Sequence, residues 1–127
     1  MNKAVIGLGS NIDPKENIAK ARELLKNRFC VIGESAFVRT KPVGFTQQDD
    51  FINGSVCIET DQSEAKLKKL LKSMEKKLGR RASRIKFGPR TIDMDIVVFN
   101  GRVVDNDFYE REFLKSSVLE LLPELNY

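Results

Sequence analysis

Leu67, Leu70, Leu71, Met74 and Leu78 recur at i, i+3, i+4, i+7 and i+11 in a segment otherwise crowded with lysine. That spacing puts all five on one face of an α-helix. Lys66, Lys68, Lys69, Lys72, Lys76 and Lys77 avoid the stripe and read as solvated. Asp61 reads as the N-cap with Glu64 three residues on, and Gly79 as the C-terminal cap. A helix with a single apolar face must lie on another layer, and its flanks supply one. Upstream, Phe51–Thr60 alternates, with Ile52, Val56 and Ile58 facing one way and Phe51, Asn53, Cys57 and Glu59 the other. Downstream, Ile92–Phe99 sets Met94, Ile96 and Val98 opposite Asp93, Asp95 and Val97. A strand, a helix and a strand of this kind predict a helix packed on a sheet.

The first half of the chain repeats the plan. Lys3–Gly9 reads as a buried strand. Asp13-Pro14-Lys15-Glu16 then opens a helix, with Asp13 as N-cap, Pro14 at the first helical position and Glu16 as the reciprocal acid. Ile18, Ala21, Leu24 and Leu25 follow at helical spacing to about Asn27, and a second strand covers Val31–Arg39. Lys41–Asp50, with Pro42 and Gly44, is a loop. Asn100-Gly101 predicts a hairpin into Arg102–Val104, and a short helix over Ser116–Leu122 is stopped by Pro123. The order predicts an α+β fold: a ferredoxin-like β-α-β-β-α-β antiparallel sheet with helices on one face, plus a C-terminal hairpin and short helix. At 127 residues and 41% hydrophobic content, residues 1–127 form one domain with one sizeable core.

What the chain lacks narrows its chemistry. No stretch reaches the ~20 apolar residues of a membrane span. The opening MNKAVIGLGSN has no small-residue cleavage site, so it reads as a strand, not a signal peptide, and a cytoplasmic location is expected. Cys30 and Cys57 sit in apolar stretches, fit no zinc spacing, and read as reduced core residues. There is no histidine and no tryptophan. Chemistry must therefore come from carboxylates, Arg and Lys, hydroxyls and a borrowed metal. The net charge of +4 is concentrated: RRASRIKFGPR, residues 80–90, holds Arg80, Arg81, Arg84, Lys86 and Arg90 with no acid. A local field of that sign calls for a polyanion.

GPRTIDMDIVVF, Gly88–Phe99, is the most informative stretch. Asp93 and Asp95 lie two apart on a predicted strand and so share a face. Adjacent carboxylates on an apolar strand repel each other unless a cation sits between them, and oxygen-only ligands with room for water and substrate phosphates suit magnesium. The bland alternatives are a solvated sheet face or pairing with Arg90. Arginine forks match phosphate oxygens, which makes Arg80 and Arg90 the candidate clamps. GLGSN, Gly7–Asn11, is not a dinucleotide fingerprint, because Ile12 stands where a third glycine is needed, and there is no Walker A pattern. Its glycines instead allow close approach of a neighbour or ligand. Asn53 offers donors and acceptors to a heterocycle edge, with Phe51 able to stack, although an exposed strand Asn would look the same.

GLGSN, RTKPVG (Arg39–Gly44), DFINGSV (Asp50–Val56), MEKKLGR (Met74–Arg80) and GPRTIDMDI (Gly88–Ile96) together resemble 6-hydroxymethyl-7,8-dihydropterin pyrophosphokinase, an enzyme family of folate biosynthesis. The resemblance spans about residues 4–99 in the family's order. It implies transfer of pyrophosphate from ATP to the hydroxymethyl oxygen of a reduced pterin, releasing AMP, with two magnesium ions on Asp93 and Asp95. Arg80 and Arg90 match the phosphate-contacting, catalytic arginines. Glu75, Ile96 and Arg111 match positions near the nucleotide. Thr40, Val43 and Asn53 match pterin-edge contacts, and Phe51 and Phe113 the stacking rings. The chain departs from the pattern after the hairpin. VDNDFYEREF, Val104–Phe113, keeps Arg111 and Phe113 but is short and lacks the family's Pro-His pair. Asp49 and Asp50 have no assigned role.

Two other functions fit parts of the sequence. A ferredoxin-like RNA-binding module would use the basic loop, but needs aromatics interleaved with Lys and Arg on its central strands, and DFINGSVCIE offers only Phe51. A degenerate paralogue would keep the pterin pocket without kinase activity. The pyrophosphokinase reading expects ATP and a pterin as partners, no nucleic acid, no membrane, and a monomer.

Overall fold

In the computed structural model, residues 1–44, 46–79 and 91–127 are described. Among them are six strands and four helices: β1 (Asn2–Ser10), α1 (Pro14–Arg28), β2 (Cys30–Glu34), β3 (Val38–Thr40), β4 (Phe51–Thr60), α2 (Glu64–Lys77), β5 (Asp93–Phe99), β6 (Arg102–Val103), α3 (Asp107–Glu110) and α4 (Glu112–Leu121). The strands form one sheet in the order β2-β4-β1-β5-β6, with β3 also on β4, and the pairings are antiparallel. β1-α1-β2 and β4-α2-β5 are each a strand-helix-strand unit with a strand of the other unit inserted, which is the ferredoxin-like α+β arrangement.

The period-2 alternation of β1 divides the core in two. Ala4, Ile6 and Leu8 point to one face, where Val56, Ile58 and Met94 join Ile18, Ala21 and Leu25 of α1 and Leu67 and Leu71 of α2. Val5 points to the other face, packed with Cys57, Val97, Val98, Phe108 and Val118 beneath α3 and α4. Helices α1 and α2 share a face as predicted, while the short C-terminal helix covers the opposite one. It is pinned there by buried polar contacts: Ser117 Oγ lies 2.7 Å from Ser55 Oγ on β4 and donates to the Leu114 carbonyl at 2.9 Å.

Several local expectations are corrected. Asp13 does not cap α1 with its side chain; it adopts a left-handed conformation (φ 42°), and its carbonyl accepts from Asn17 N. The N-cap of α2 is Ser63, whose hydroxyl accepts from Lys66 N at 3.2 Å, not Asp61. The Val31–Arg39 strand is two strands, because Ser35 leaves the ladder to cap Ser55 N with its hydroxyl. Cys30 is exposed at the start of the edge strand β2; only Cys57 is core. The alternation of β5 holds to Ile96, then a bulge opposite Val5/Ile6 inserts Val97, so Val98 joins the α4 side and Phe99 the α1/α2 side. The Asn100-Gly101 turn has the paired positive φ of 49° and 80° that a tight hairpin needs. Helix α4 begins at Glu112, four residues before the predicted start, and α3 was not anticipated.

Candidate active site

On the second face, α4 covers the sheet over Val5 and Val97 and reaches Gly7 with Leu114 near its start. There Gly7 and Gly9 leave the floor without side chains, and a cleft of about 320 Å3 opens. Both glycines are close-packed. A β-carbon on Gly7 would stand 3.2 Å from Leu114 and Val97, and one on Gly9 would stand 2.6 Å from Asn53 Oδ1. The GLGS run is therefore a thin floor that admits its neighbours, the close approach anticipated from its composition.

One wall comes from β3, β4 and the loop between them: Thr40, Lys41, Val43, Phe51 and Asn53. Asn53 Nδ2 donates to Thr40 Oγ1 across the β3–β4 pair, which fixes the amide plane and leaves Oδ1 over Gly9. The loop is tethered to the end of β1 by Asn11, whose Nδ2 donates to Gln48 Oε1 at 2.8 Å and to the Asp49 carbonyl at 3.0 Å. The Asn of GLGSN thus orders the loop that carries Val43, and Asp49 contributes through its backbone. Opposite stand Arg111, Phe113 and Leu114 at the start of α4. Fully buried Phe108, edge-on to Tyr109 at 5.1 Å and to Tyr127 at 5.2 Å, holds the preceding turn down.

The third wall is acidic. Asp93 and Asp95 both line the cleft, as their two-residue spacing predicts. Glu75 reaches them from α2 around the open edge of β5: it is 3% exposed, and its Oε2 accepts from Met94 N at 2.7 Å. Carboxylate oxygens of Glu75, Asp93 and Asp95 all lie within 4.8 Å of one another. Lys72 Nζ sits 3.1 Å from Glu75 Oε2 and 3.1 Å from Asp95 Oδ1. Burial pulls the Lys72 ammonium down, but Asp95 and Glu75 together outweigh it and hold it above its usual value. The solvated role predicted for Lys72 is thereby overturned: next to Leu71 at the rim of the apolar stripe, it is close enough to the strand edge to be captured by acids.

Thr40, Val43, Phe51, Asn53, Asp93, Asp95, Arg111 and Phe113 are brought together in this one cleft. Glu75 adjoins it through the carboxylate cluster. Ile96 does not line it; it points to the other face and packs on the α1/α2 core. Arg80 and Arg90 lie outside the described residues. Asp105 and Asp107 also line the cleft and were missed, because nothing in their local sequence marks them as more than a turn. Asp105 is half-buried, and desolvation raises its carboxyl; the Asp107 N–H opposes this, while the charges of Asp107, Asp95 and Asp93 add to it. The sheet face on which an RNA module would stack bases is occupied over Val5, Cys57 and Val98 by α3, α4 and the C-terminal turn. Among the described residues, no helix is long and apolar enough to cross a membrane.

Residues 5–123 match the family model for 7,8-dihydro-6-hydroxymethylpterin-pyrophosphokinase. The chain is 36% identical to the 2-amino-4-hydroxy-6-hydroxymethyldihydropteridine pyrophosphokinase of Methylorubrum extorquens, over 98% of this chain and 85% of that protein. It is 30% identical to the protein of the same name from Bacillus subtilis (98% and 80%) and 34% to that from Haemophilus influenzae (98% and 84%). The alignments run to 136, 135 and 137 positions, more than the 127 residues of this chain, so each relative carries residues that have no counterpart here. By the extent of these matches, the chain belongs to the 7,8-dihydro-6-hydroxymethylpterin pyrophosphokinase family.

Proposed function

We infer that this protein transfers pyrophosphate from ATP to the hydroxymethyl oxygen of 6-hydroxymethyl-7,8-dihydropterin and releases AMP. The observation that carries the reading is the meeting in one cleft of an oriented amide, Asn53, with the carboxylates of Asp93 and Asp95. The first suits a flat heterocycle with a donor-acceptor edge, and the second suits a phosphate chain with its counter-ions.

The pterin ring lies between Phe51 and Phe113, with its edge on Asn53, Thr40 and the backbone near Val43. Its hydroxymethyl group then points along the floor toward Asp93 and Asp95. The donor set there fits magnesium: three carboxylates with oxygen ligands only, close enough that an ammonium already bridges two of them. Asp93 and Asp95 would hold the ions, and Glu75, fixed between them by Met94 N, would border the same seat. When bound, two magnesium ions would neutralise charge on the phosphates and on the AMP leaving group. Arg80, Arg90 and Arg111 serve as phosphate clamps, the last from the cleft wall. The chain has no histidine, and its own contribution is alignment: it holds the hydroxymethyl oxygen in line with the phosphorus it attacks.

The protein works as a monomer in the cytoplasm, with ATP and a reduced pterin as its partners and without nucleic acid or membrane. Incubation with ATP, hydroxymethyldihydropterin and magnesium should yield AMP and pterin diphosphate in equal amounts. AMP formation that does not depend on the pterin rejects the assignment. Pterin binding without any AMP is the signature of a degenerate paralogue.

A further inference from the structure

Lys72 stands out among the lysines of α2 because its ammonium bridges two acids of the carboxylate cluster. It lies 3.1 Å from an oxygen of Glu75 and 3.1 Å from an oxygen of Asp95, two of the three carboxylates whose oxygens cluster within 4.8 Å. Glu75 is 3% exposed, so its charge cannot be left to water. The Lys72 side chain is 41% exposed and Asp95 45%, which leaves the ammonium a path outward along its flexible stem.

We propose that Lys72 is a displaceable internal counter-ion: it occupies the cation seat of Glu75 and Asp95 in the nucleotide-free protein and is expelled when a divalent ion binds there. This rests on the reading of Asp93 and Asp95 as the metal-holding pair. A divalent ion seated among these carboxylates would stand within a few ångströms of the Lys72 ammonium, and like charges that close repel. Lys72 therefore raises the metal concentration needed for loading, and it keeps Glu75 and Asp95 compatible when no metal is present.

The test is metal binding by the full-length protein without nucleotide or pterin, read from the free Mn2+ signal in electron paramagnetic resonance. Lys72→Met keeps the stem and removes the charge. It should bind Mn2+ about tenfold more tightly than the parent, the scale set by one opposite charge beside a carboxylate. Its melting temperature should be lower without metal and should rise more on Mn2+ addition. Lys68→Met, the same charge change at an exposed position of α2, should bind like the parent. Should Lys72→Met not fold, Lys72→Gln, whose amide can still donate to Glu75, takes its place. On the parent itself, the Lys72 Nζ resonance should move toward that of a free ammonium as Mg2+ is added. Equal or weaker Mn2+ binding by the neutral variants, or an unmoved Lys72 resonance at Mg2+ saturation, overturns the proposal while leaving the metal assignment standing. No Mn2+ binding by any of the proteins removes the metal assignment and the proposal together.

Discussion

Asn53 Oδ1 lies 2.6 Å from the point that a β-carbon on Gly9 would occupy, so the orientation of the pocket's amide depends on a missing side chain in the neighbouring strand. β1 and β4 pair Gly9 directly with Asn53, and Thr40 completes the arrangement by accepting from the amide nitrogen. Three strands therefore fix one functional group.

This relationship predicts that Gly9→Ala and Asn53→Ala have the same phenotype by different routes. The first pushes the amide out of register with the pterin edge, and the second removes it. Each should weaken binding of a pterin analogue by about 1–3 kcal/mol, the cost of an unpaired polar edge. Binding of a nucleotide analogue measured without pterin should stay at the parent level. Calorimetry on both variants checks this; full pterin affinity in Gly9→Ala would mean that Asn53 reaches its orientation without the gap.

Asp95→Asn should abolish most magnesium-dependent binding of ATP analogues and leave the fold intact. Asp95 is half-exposed, and its ion pair with Lys72 and its neighbours Glu75 and Asp93 define the cation seat. Circular dichroism should match the parent. Magnesium titration in the presence of the analogue should give little response.

The segment between the hairpin and Arg111 is short. It carries α3 and the Asp105–Asp107 turn and lacks a Pro-His pair. Phosphate and metal contacts supply attraction, but base contacts supply discrimination. ATP should therefore bind more weakly than to a relative with a full-length segment, and GTP should compete well. Titration with both nucleotides, with magnesium and a pterin analogue present, measures the ratio. A tight isotherm strongly selective for ATP would assign the base contacts to other residues, such as exposed Tyr109.

Stability should fall on the acid side through Glu34. This carboxylate on β2 accepts from Arg22 of α1 and lies 3.5 Å from Lys26 Nζ. The hydrogen bond from Arg22 leads in lowering it below the ordinary glutamate value of 4.5; burial opposes the shift, and the charges of Arg22 and Lys26 reinforce it. A carboxylate lowered on folding stabilises the protein above its unfolded value, and that contribution is lost as pH falls through the folded value. Glu34→Gln should therefore be less stable than the parent at neutral pH, and the difference should shrink below about pH 4.5. Denaturant unfolding at pH 7 and pH 3 gives both numbers; a constant difference would show the pair to be unimportant.

The architecture was legible because it rests on local periodicity. The stripe from Leu67 to Leu78, the alternation of Phe51–Thr60 and the Asn100-Gly101 turn each follow from the geometry of a helix, strand or hairpin, which needs no knowledge of the rest of the chain. The two-residue spacing of Asp93 and Asp95 placed both in the cleft for the same reason. Local pattern could not reveal the bulge at Val97, since a bulge is a mismatch between two strands and belongs to neither. Nor could it separate Lys72 from Lys68, Lys69 and Lys76. On the helix all are polar positions off the apolar stripe, and only the packing of α2 against the edge of β5 brings one ammonium within 3.1 Å of two carboxylates. The same holds for Gly9 and Asn53, 44 residues apart in sequence and adjacent across β1 and β4. The sequence determined the elements and the kinds of chemistry available. The tertiary structure decided which residues meet, because charge and steric exclusion act over a few ångströms of space regardless of distance along the chain.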